Sequence, residues 1–503
     1  MKEHTNVFSQ SVSSDDRLYR IFFWMLCIGM LLVFFWGIWS IPLLSHDEGR
    51  RLVVLREMMA NHSWFIPTMN GEVYLEKPPL FYWSGAIFGL LANSSSEWVL
   101  RLPSGLFALC IVCLLFFMLK KYIGRWAALL GVLTLVTSNY FSRYARLAEI
   151  EMLLTLCAFA AVLFYFEYVK RGSRYYLYGS YAMLGLAFLT KWPVALLFWL
   201  PPIVCYGLLE RSKPALRGLI DWRGWLIFSV IALPWFLYVN EQLPGAPLFR
   251  VIGNEMSSKI AGAKSDPFYS YLGVVVKGFA PWILVLLWRP RAQFKRLLAT
   301  DAGRFFGLAA LVPLIIFSLF AFKRDKYILP MCPALAVFLG LALASWLEQA
   351  KLRWRRIPFA LTAFSAALIV VFVVYYTAVQ ASVMSYRYDA FQPLAARLDN
   401  LRGDAPVYLF KSESSQLVYY YRHTIPVVQE KEVARMLADG KSFLLLAVDA
   451  RVNDARRPGI CILEQIKPYG ETNKVLSILG AGSLCRPHAS PPMAGVKGGS
   501  ALT

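Results

Sequence analysis

The chain has 503 residues, of which 58% are hydrophobic and only 17% charged, and its mean hydropathy is +0.50. Apolar surface in that proportion is foreign to a soluble enzyme and calls for a lipid solvent. The formal net charge of +21 would suit a nucleic-acid binder, but the Lys and Arg residues stand in short clusters between apolar runs. That is the arrangement the positive-inside rule produces, and it argues against nucleic acid as a partner.

The first apolar run, Ile21 to Leu44, is too long for a signal-peptide core, and no small-x-small cleavage site precedes the charged cluster after it. A retained span is therefore predicted, with the N-terminus cytoplasmic. Further spanning cores are predicted at 102–119, 126–142, 151–169, 175–190, 193–209, 224–239, 268–288, 305–322, 327–347 and 357–379. The segment Pro78 to Ala92 is apolar but short, and is expected to lie in the interface. The expectation is a mainly α, polytopic membrane protein of about 11–13 transmembrane helices.

Orientation follows from the loops. Lys120, Lys121 and Arg125, then Lys170, Arg171 and Arg174, then Arg211, Lys213, Arg217 and Arg223 mark one side. Arg289, Arg291, Lys295 and Arg296, and then Lys351, Arg353, Arg355 and Arg356, continue it. These loops are nearly free of acids and are assigned to the cytoplasm. The long loop 44–101, the turns near 143–150, 191, 240–267 and 323–326, and the C-terminal part then face outward.

After about residue 380 the composition changes. "PVYLF", "IPVV", "FLLLAV" and "GICILEQI" read as short strands, while "DAFQPLAARLDNL" and "EKEVARMLADG" read as helices, the second ending at Gly440. The domains predicted are a membrane domain over 1–379, a small periplasmic α/β domain over 380–485, and a disordered tail over 486–503 rich in Pro, Gly, Ser and Ala. Six of the eight cysteines lie in apolar runs; Cys461 and Cys485 alone lie in the polar C-terminal part. On the oxidising side of the membrane they are expected to pair as a disulfide. No CxxC or Cys/His spacing suggests zinc.

The ionisable residues collect at the outward helix ends. The first loop holds "HDEGRR", with Asp47, Glu48 and Arg50, and then Arg56, Glu76 and Lys77. Arg143, Arg146, Glu149 and Glu151 flank the start of the fourth span. Lys191 sits between two apolar helices, and Lys323, Arg324, Asp325 and Lys326 precede Tyr327. Charges inside a bilayer cost ~2.5–3.5 kcal/mol each at the centre. A shared outward cavity accounts for several of them together. The plainer alternative stands beside it: Arg143, Arg324 and Lys326 taken singly read as snorkelling side chains, and Asp47 and Glu48 read equally as acids favoured at a helix N-terminus. Cations with one or two carboxylates suit a reacting phospholipid head group: the cations neutralise a leaving phosphate and a carboxylate orients or deprotonates the attacking oxygen. No Walker loop, dinucleotide fingerprint, GxSxG or HExxH pattern stands out. A transporter would also place charges in a membrane cavity, but these cluster at one face, not at the midplane.

The stretch "DEGRRLVVLREMMANHSWFIPTMNGEVYLEKPPLFYW" closely resembles the first external loop of GT-C membrane glycosyltransferases. The nearest group is the bacterial 4-amino-4-deoxy-L-arabinose lipid A transferases and their relatives in the protein O-mannosyltransferase superfamily. The matching positions are Asp47, Glu48, Arg50, Arg56-Glu57-Met58, Trp64, Pro67 and Glu76-Lys77-Pro78. "SRYARLAEIEMLL", "FLTKWPVALL", "LPWFLYV", "GFAPW" and "FSLFAFKRDKYILPMCPALA" continue the match in order over roughly 20–345.

The resemblance implies an inverting transfer at an outward site of the bacterial inner membrane, from undecaprenyl phosphate to lipid A or another outer-leaflet acceptor. Transfer to protein hydroxyls is the alternative. It implies Asp47 as the principal catalytic carboxylate with Glu48 beside it and Glu151 as the second acid. It further implies Lys77, Glu76, Arg50, Arg146, Lys191 and Lys323 about the donor phosphate, with Tyr327 as a wall. Arg51 stands where a Tyr is usual and Val53 where a Glu is usual, and the loop 240–267 keeps Glu255 but lacks the histidines common there. A divalent metal is left open on that account, and no cofactor is fixed.

Overall fold

The computed structural model describes residues 16–43, 45–244, 253, 266–287, 291–353, 356–380, 391–448, 451–469 and 474–485. The predicted tail 486–503 and Glu255 lie outside the described residues. The chain forms two compact units, 1–43 with 47–385, and 44–46 with 386–503.

The first unit is helical. α1 (Asp16–Phe35) ends at Gly37, whose φ of +76° only glycine adopts freely, and a short 3-10 turn follows. α2 (His46–Asn61) opens the long loop. A two-stranded hairpin comes next, β1 (Thr68–Met69) with β2 (Glu72–Val73). Asn70 and Gly71 at its tip have φ of 55° and 81°, the pairing that a type I′ turn requires. Glu57 fixes this tip by accepting from the Thr68 hydroxyl at 2.7 Å and the Gly71 N–H at 3.3 Å. α3 (Leu80–Leu91) has 12 residues, too short to span, as its length in the sequence suggests.

Among the described residues seven helices are long and apolar enough to cross a membrane: Asp16–Ser40, Glu97–Ile123, Ile150–Arg171, Trp222–Gln242, Asp301–Ser318, Asp325–Ala350 and Ile357–Val379. The other four predicted cores are also helical but shorter, broken or more polar. The core at 126–142 divides into α5 (Arg125–Val136) and α6 (Asn139–Ala145), which follow α4 (Glu97–Ile123). Ser138 starts α6 by capping the Phe141 N–H at 3.2 Å. The core at 268–288 breaks after the helix Ser270–Phe279, where Pro281 brings no N–H to continue it. α7 is Ile150–Arg171, α8 is Arg174–Lys191 with a tyrosine-rich first half, and α9 is Val194–Leu209. α5 meets the helix Cys332–Arg353 backbone to backbone: a Cβ on Gly340 would stand 2.3 Å from the Ala127 carbonyl oxygen. Small residues permit such contact where lipid offers no hydrophobic drive.

The second unit holds a five-stranded sheet in the order β4-β3-β5-β7-β6. β3 (Val407–Phe410) lies parallel to β4 (Val427–Val428) and to β5 (Phe443–Val448). β7 (Lys474–Ala481) runs antiparallel to β5 and to β6 (Ile460–Tyr469). Sequence reading found four of these strands and missed β7, which occupies an interior position. Cys461 and Cys485 form a disulfide with a Cα separation of 5.6 Å, tying β6 to the turn that follows β7. Closing a loop of 24 residues stabilises by about 3 kcal/mol. Cys461→Ser in the full chain is expected to make the C-terminal unit the first part cut in limited proteolysis; an unchanged cleavage pattern counts against that contribution.

Candidate active site

Asp47 lies in the first turn of α2. Its Oδ2 meets Arg324 Nη1 and Lys326 Nζ, each at 2.7 Å. Lys326 reaches onward to Glu149 Oε2 at 2.8 Å and Glu151 Oε1 at 3.8 Å. Glu151 in turn pairs with Lys191 Nζ at 2.9 Å, which lies 5.0 Å from the centre of the Tyr327 ring. Residues separated by up to 279 positions therefore meet in one chain of ion pairs. The sequence reading named Asp47, Glu151, Lys191 and Tyr327; it noted Glu149, Arg324 and Lys326 as nearby charges without placing them in the site. The signal for Lys326 was its position directly before the matched Tyr327.

Local structure sets each side chain. The 3-10 segment Asp325–Met331 carries Lys326 and Tyr327. It is fixed by the Tyr140 hydroxyl donating to the Asp325 carbonyl, and by Tyr271 donating to the Arg324 carbonyl at 3.2 Å. Lys191 ends α8, and Trp192 after it has φ 27° and ψ −132°. A non-glycine residue in that region is strained, and surrounding structure must hold it. Here Trp192 is buried with Leu75, Leu189, Trp235, Phe236 and Val239, and Pro193 follows it. Lys191 is thus presented from a turn that cannot relax without undoing that cluster.

Beside this chain lies a second group. Arg51, where the resemblance has a Tyr, donates to Tyr74 at 2.7 Å and Tyr82 at 2.6 Å. Tyr74 donates to Glu76 Oε2 at 3.1 Å, and Arg50 meets the same oxygen at 3.4 Å. Lys77 is 7% exposed, and its ammonium donates to the Glu76 carbonyl at 2.9 Å. The electrostatic field of Arg51 reaches Asp47.

Three of the expected site residues make contacts away from Asp47. Glu48 is fully buried and takes a forked pair from Arg101, at 2.8 Å from Nε and 3.2 Å from Nη2, plus the Ala148 N–H at 3.1 Å. Its two oxygens are occupied in holding the chain, so it stands apart from Asp47 although adjacent in sequence. Successive residues of a helix point about 100° apart, which separates them. Arg146 is buried, donates to the Val33 carbonyl at 2.7 Å and lies 4.8 Å from the Tyr376 ring centre. That bond braces α1 and uses Nη1 alone; Nε and Nη2 of the same guanidinium are buried without a hydrogen-bond partner. Lys323 donates to the carbonyls of Asp266 at 2.8 Å and Phe320 at 2.6 Å, and so shapes the turn before Arg324.

The two acids on either side of Lys326 are tuned in opposite directions. Burial pushes the Asp47 carboxyl up, but Lys326, Arg51 and Arg324 outweigh it and hold the group well below the usual carboxylate range. At Glu149 burial, with the neighbouring carboxylates Glu151 and Asp47, wins over Lys326 and raises the carboxyl. An ionised acid and a proton-accepting one flanking a single ammonium can bind an anion and absorb a change of charge. Among the described residues no group of three or more His, Cys, Asp or Glu side chains is placed to hold a metal ion. Lys277, which the sequence left unassigned, is exposed on the helix Ser270–Phe279.

Residues 76–238 match the dolichyl-phosphate-mannose-protein mannosyltransferase family. An uncharacterized protein of Aquifex aeolicus is 29% identical over 400 residues, covering 77% of this chain and 85% of that one. The undecaprenyl phosphate-alpha-4-amino-4-deoxy-L-arabinose arabinosyl transferase of Shewanella sediminis is 27% identical over 315 residues, which is 61% of this chain. That of Aeromonas hydrophila is 26% identical over 338 residues, 66% of this chain. The matches span 56% and 61% of the lengths of those two transferases. The crystal structure of ArnT from Cupriavidus metallidurans bound to undecaprenyl phosphate is similar with a TM-score of 0.77 at 20% identity, covering 93% of this chain and 99% of that one. The oligosaccharyltransferase AglB of Archaeoglobus fulgidus is more distant, with a TM-score of 0.52 at 12% identity over 80% of this chain and 64% of that one. The fold is that of the GT-C membrane glycosyltransferases.

Proposed function

We propose that this chain, a membrane glycosyltransferase of ArnT-like fold, moves a sugar from undecaprenyl phosphate to a lipid acceptor at the outer face of the bacterial inner membrane. In the finer reading the sugar is 4-amino-4-deoxy-L-arabinose or a related amino sugar, and the acceptor is lipid A. The N-terminus is cytoplasmic and the C-terminal unit periplasmic. The observation that carries this reading is the chain Asp47–Lys326–Glu149, linked through Lys326 to Glu151–Lys191, with Arg324 also on Asp47. It concentrates cations about a carboxylate at one end of the helices. The names of the curated relatives support the same donor.

The chemistry follows from charge. The acceptor oxygen attacks the anomeric carbon, the bond from that carbon to the carrier phosphate breaks, and configuration inverts. Negative charge grows on the departing phosphate, where Lys326, Arg324 and Lys191 can stabilise it. Asp47, held ionised by two cations, is a weak base and serves to orient sugar or acceptor. An acceptor phosphate is already ionised near neutrality and asks for no base.

Mass spectrometry of lipid A from cells with and without the chain tests the reading. A pentosamine-sized addition that depends on the chain is expected. Unmodified lipid A with a sugar gained on envelope proteins favours the alternative, protein O-glycosyl transfer, which the family match over 76–238 also suits.

A further inference from the structure

Arg51 carries a charge that the chemistry above does not use. It stands four residues after Asp47 in α2, and residues at that spacing share one face of a helix. Its guanidinium is 5% exposed and donates from Nη1 to the hydroxyls of Tyr74 and Tyr82, at 2.7 Å and 2.6 Å. Burial raises both phenols, so they stay neutral and do not balance the charge. Glu76, the acid beyond Tyr74, is already met by Arg50 at 3.4 Å. The cations on the other side of Asp47 all have carboxylate partners: Arg324 on Asp47, Lys326 on Asp47 and Glu149, Lys191 on Glu151. Among the described residues no carboxylate lies within ion-pair distance of Arg51. Neither of its bonds uses Nε or Nη2, and these nitrogens are not closed off as those of Arg146 are. A buried cation left so is costly unless an anion comes to it.

A phosphate acceptor brings a second anion into a site that already takes the carrier phosphate and contains Asp47. As the sugar moves, negative charge passes from the acceptor phosphate, which becomes a diester, to the carrier phosphate, which becomes a monoester. Cations are therefore needed at both ends of the transfer. Lys326, Arg324 and Lys191 serve the carrier end. The field of Arg51 reaches both Asp47 and Glu151, and the fork of a guanidinium matches a pair of phosphate oxygens. We propose that Arg51 binds the acceptor phosphate, through the guanidinium nitrogens that Tyr74 and Tyr82 leave unused. The two phenols hold the fork in place on its other side. Because a Tyr is usual at this position in the transferases that the sequence resembles, the charge is a feature of this chain. This inference rests on the reading of the acceptor as a lipid phosphate.

The test uses the full chain in lipid nanodiscs, with a synthetic undecaprenyl-phosphate sugar as donor and bisphosphorylated lipid A as acceptor, each varied in turn. Arg51→Gln is expected to raise KM for lipid A by about tenfold to a hundredfold, while KM for the donor and kcat stay within about threefold of wild type. Arg51→Lys keeps a positive charge and is expected to recover much of the loss. A purely structural role lowers kcat and raises both KM values, in Arg51→Lys as in Arg51→Gln, and overturns the proposal. A rise in KM for the donor alone assigns Arg51 to the carrier phosphate and overturns it too. So does Arg51→Gln with both KM values unchanged. If Arg51→Gln does not fold, Arg51→Tyr, which supplies the residue usual at this position, takes its place in the same comparison. Those outcomes leave the reading of the acceptor standing, since wild type still modifies lipid A. Failure of the wild type to modify lipid A overturns that reading, and this inference with it.

Discussion

Asp47→Asn lowers turnover by about 10²–10⁴-fold and leaves carrier binding intact or tighter. The substitution keeps the size of the side chain and one oxygen for Arg324 and Lys326, which now lie 2.7 Å from that carboxylate. What it removes is the negative charge opposing them. Both cations are then freer to hold the carrier phosphate, so affinity for it does not fall, while the sugar or acceptor loses its orienting group. This split between turnover and binding separates the result from misfolding, since a damaged site would lose both. The pH dependence makes a second check. Asp47 has its folded pKa depressed, so its ionised form and the ion pairs it makes persist as pH falls through the ordinary carboxylate range. They fail only below it. Turnover by the wild type should therefore show no acid limb owed to Asp47 between about pH 5 and 8. Initial rates in nanodiscs with a synthetic donor measure both. Turnover retained in Asp47→Asn removes Asp47 from the chemistry.

Hydropathy made the membrane unit legible because a span must satisfy its own backbone and face lipid, which forces long apolar runs into the sequence. Within two of the predicted cores local chemistry breaks the helix. Ser138 starts a new helix inside one apolar run and Pro281 ends another, and neither changes mean hydropathy much. The Asn70-Gly71 pair is a plain hairpin signal, and it lies inside the longer stretch that carries the resemblance. β7 is hard to read because its segment KVLSILGA, Lys474–Ala481, carries Gly480 inside it and Gly482 directly after it, and glycine weakens a strand signal. At the site, Asp47, Glu151 and Lys191 were legible from an ordered resemblance. Glu149 and Lys326 were not, since one charge beside a helix end looks like any other until distant segments are brought together. The same limit explains Glu48. Sequence adjacency grouped it with Asp47, whereas its partner Arg101 lies 53 positions away and was not considered.

Arg101→Met is expected to destabilise the folded protein by about 3–5 kcal/mol, because it strands Glu48 as a buried charge. The guanidinium does more than balance that carboxylate. It also donates to the carbonyls of Ile38 at 3.0 Å, Ile41 at 2.6 Å and Pro42 at 3.0 Å. Those carbonyls belong to the segment where the chain leaves α1, and Glu48 itself accepts from Ala148 N–H in the turn before α7. One ion pair thus joins the exit of the first span, the start of α2 and the turn that carries Glu149. Glu48→Gln should cost less than Arg101→Met, since Arg101 retains three carbonyl acceptors and the amide oxygen can still accept. In the Glu48→Gln background the further loss of Arg101 should cost about 1–3 kcal/mol less than it does alone, the coupling expected of residues in contact. Thermal unfolding of detergent-solubilised single and double variants measures this. The pattern is the reverse of that for Asp47: stability falls, while turnover per folded molecule stays close to wild type. If Arg101→Met or Glu48→Gln instead left stability unchanged and abolished turnover, Glu48 would return to the chemistry beside Asp47. The burial of its carboxylate would then describe a resting state that the substrate opens.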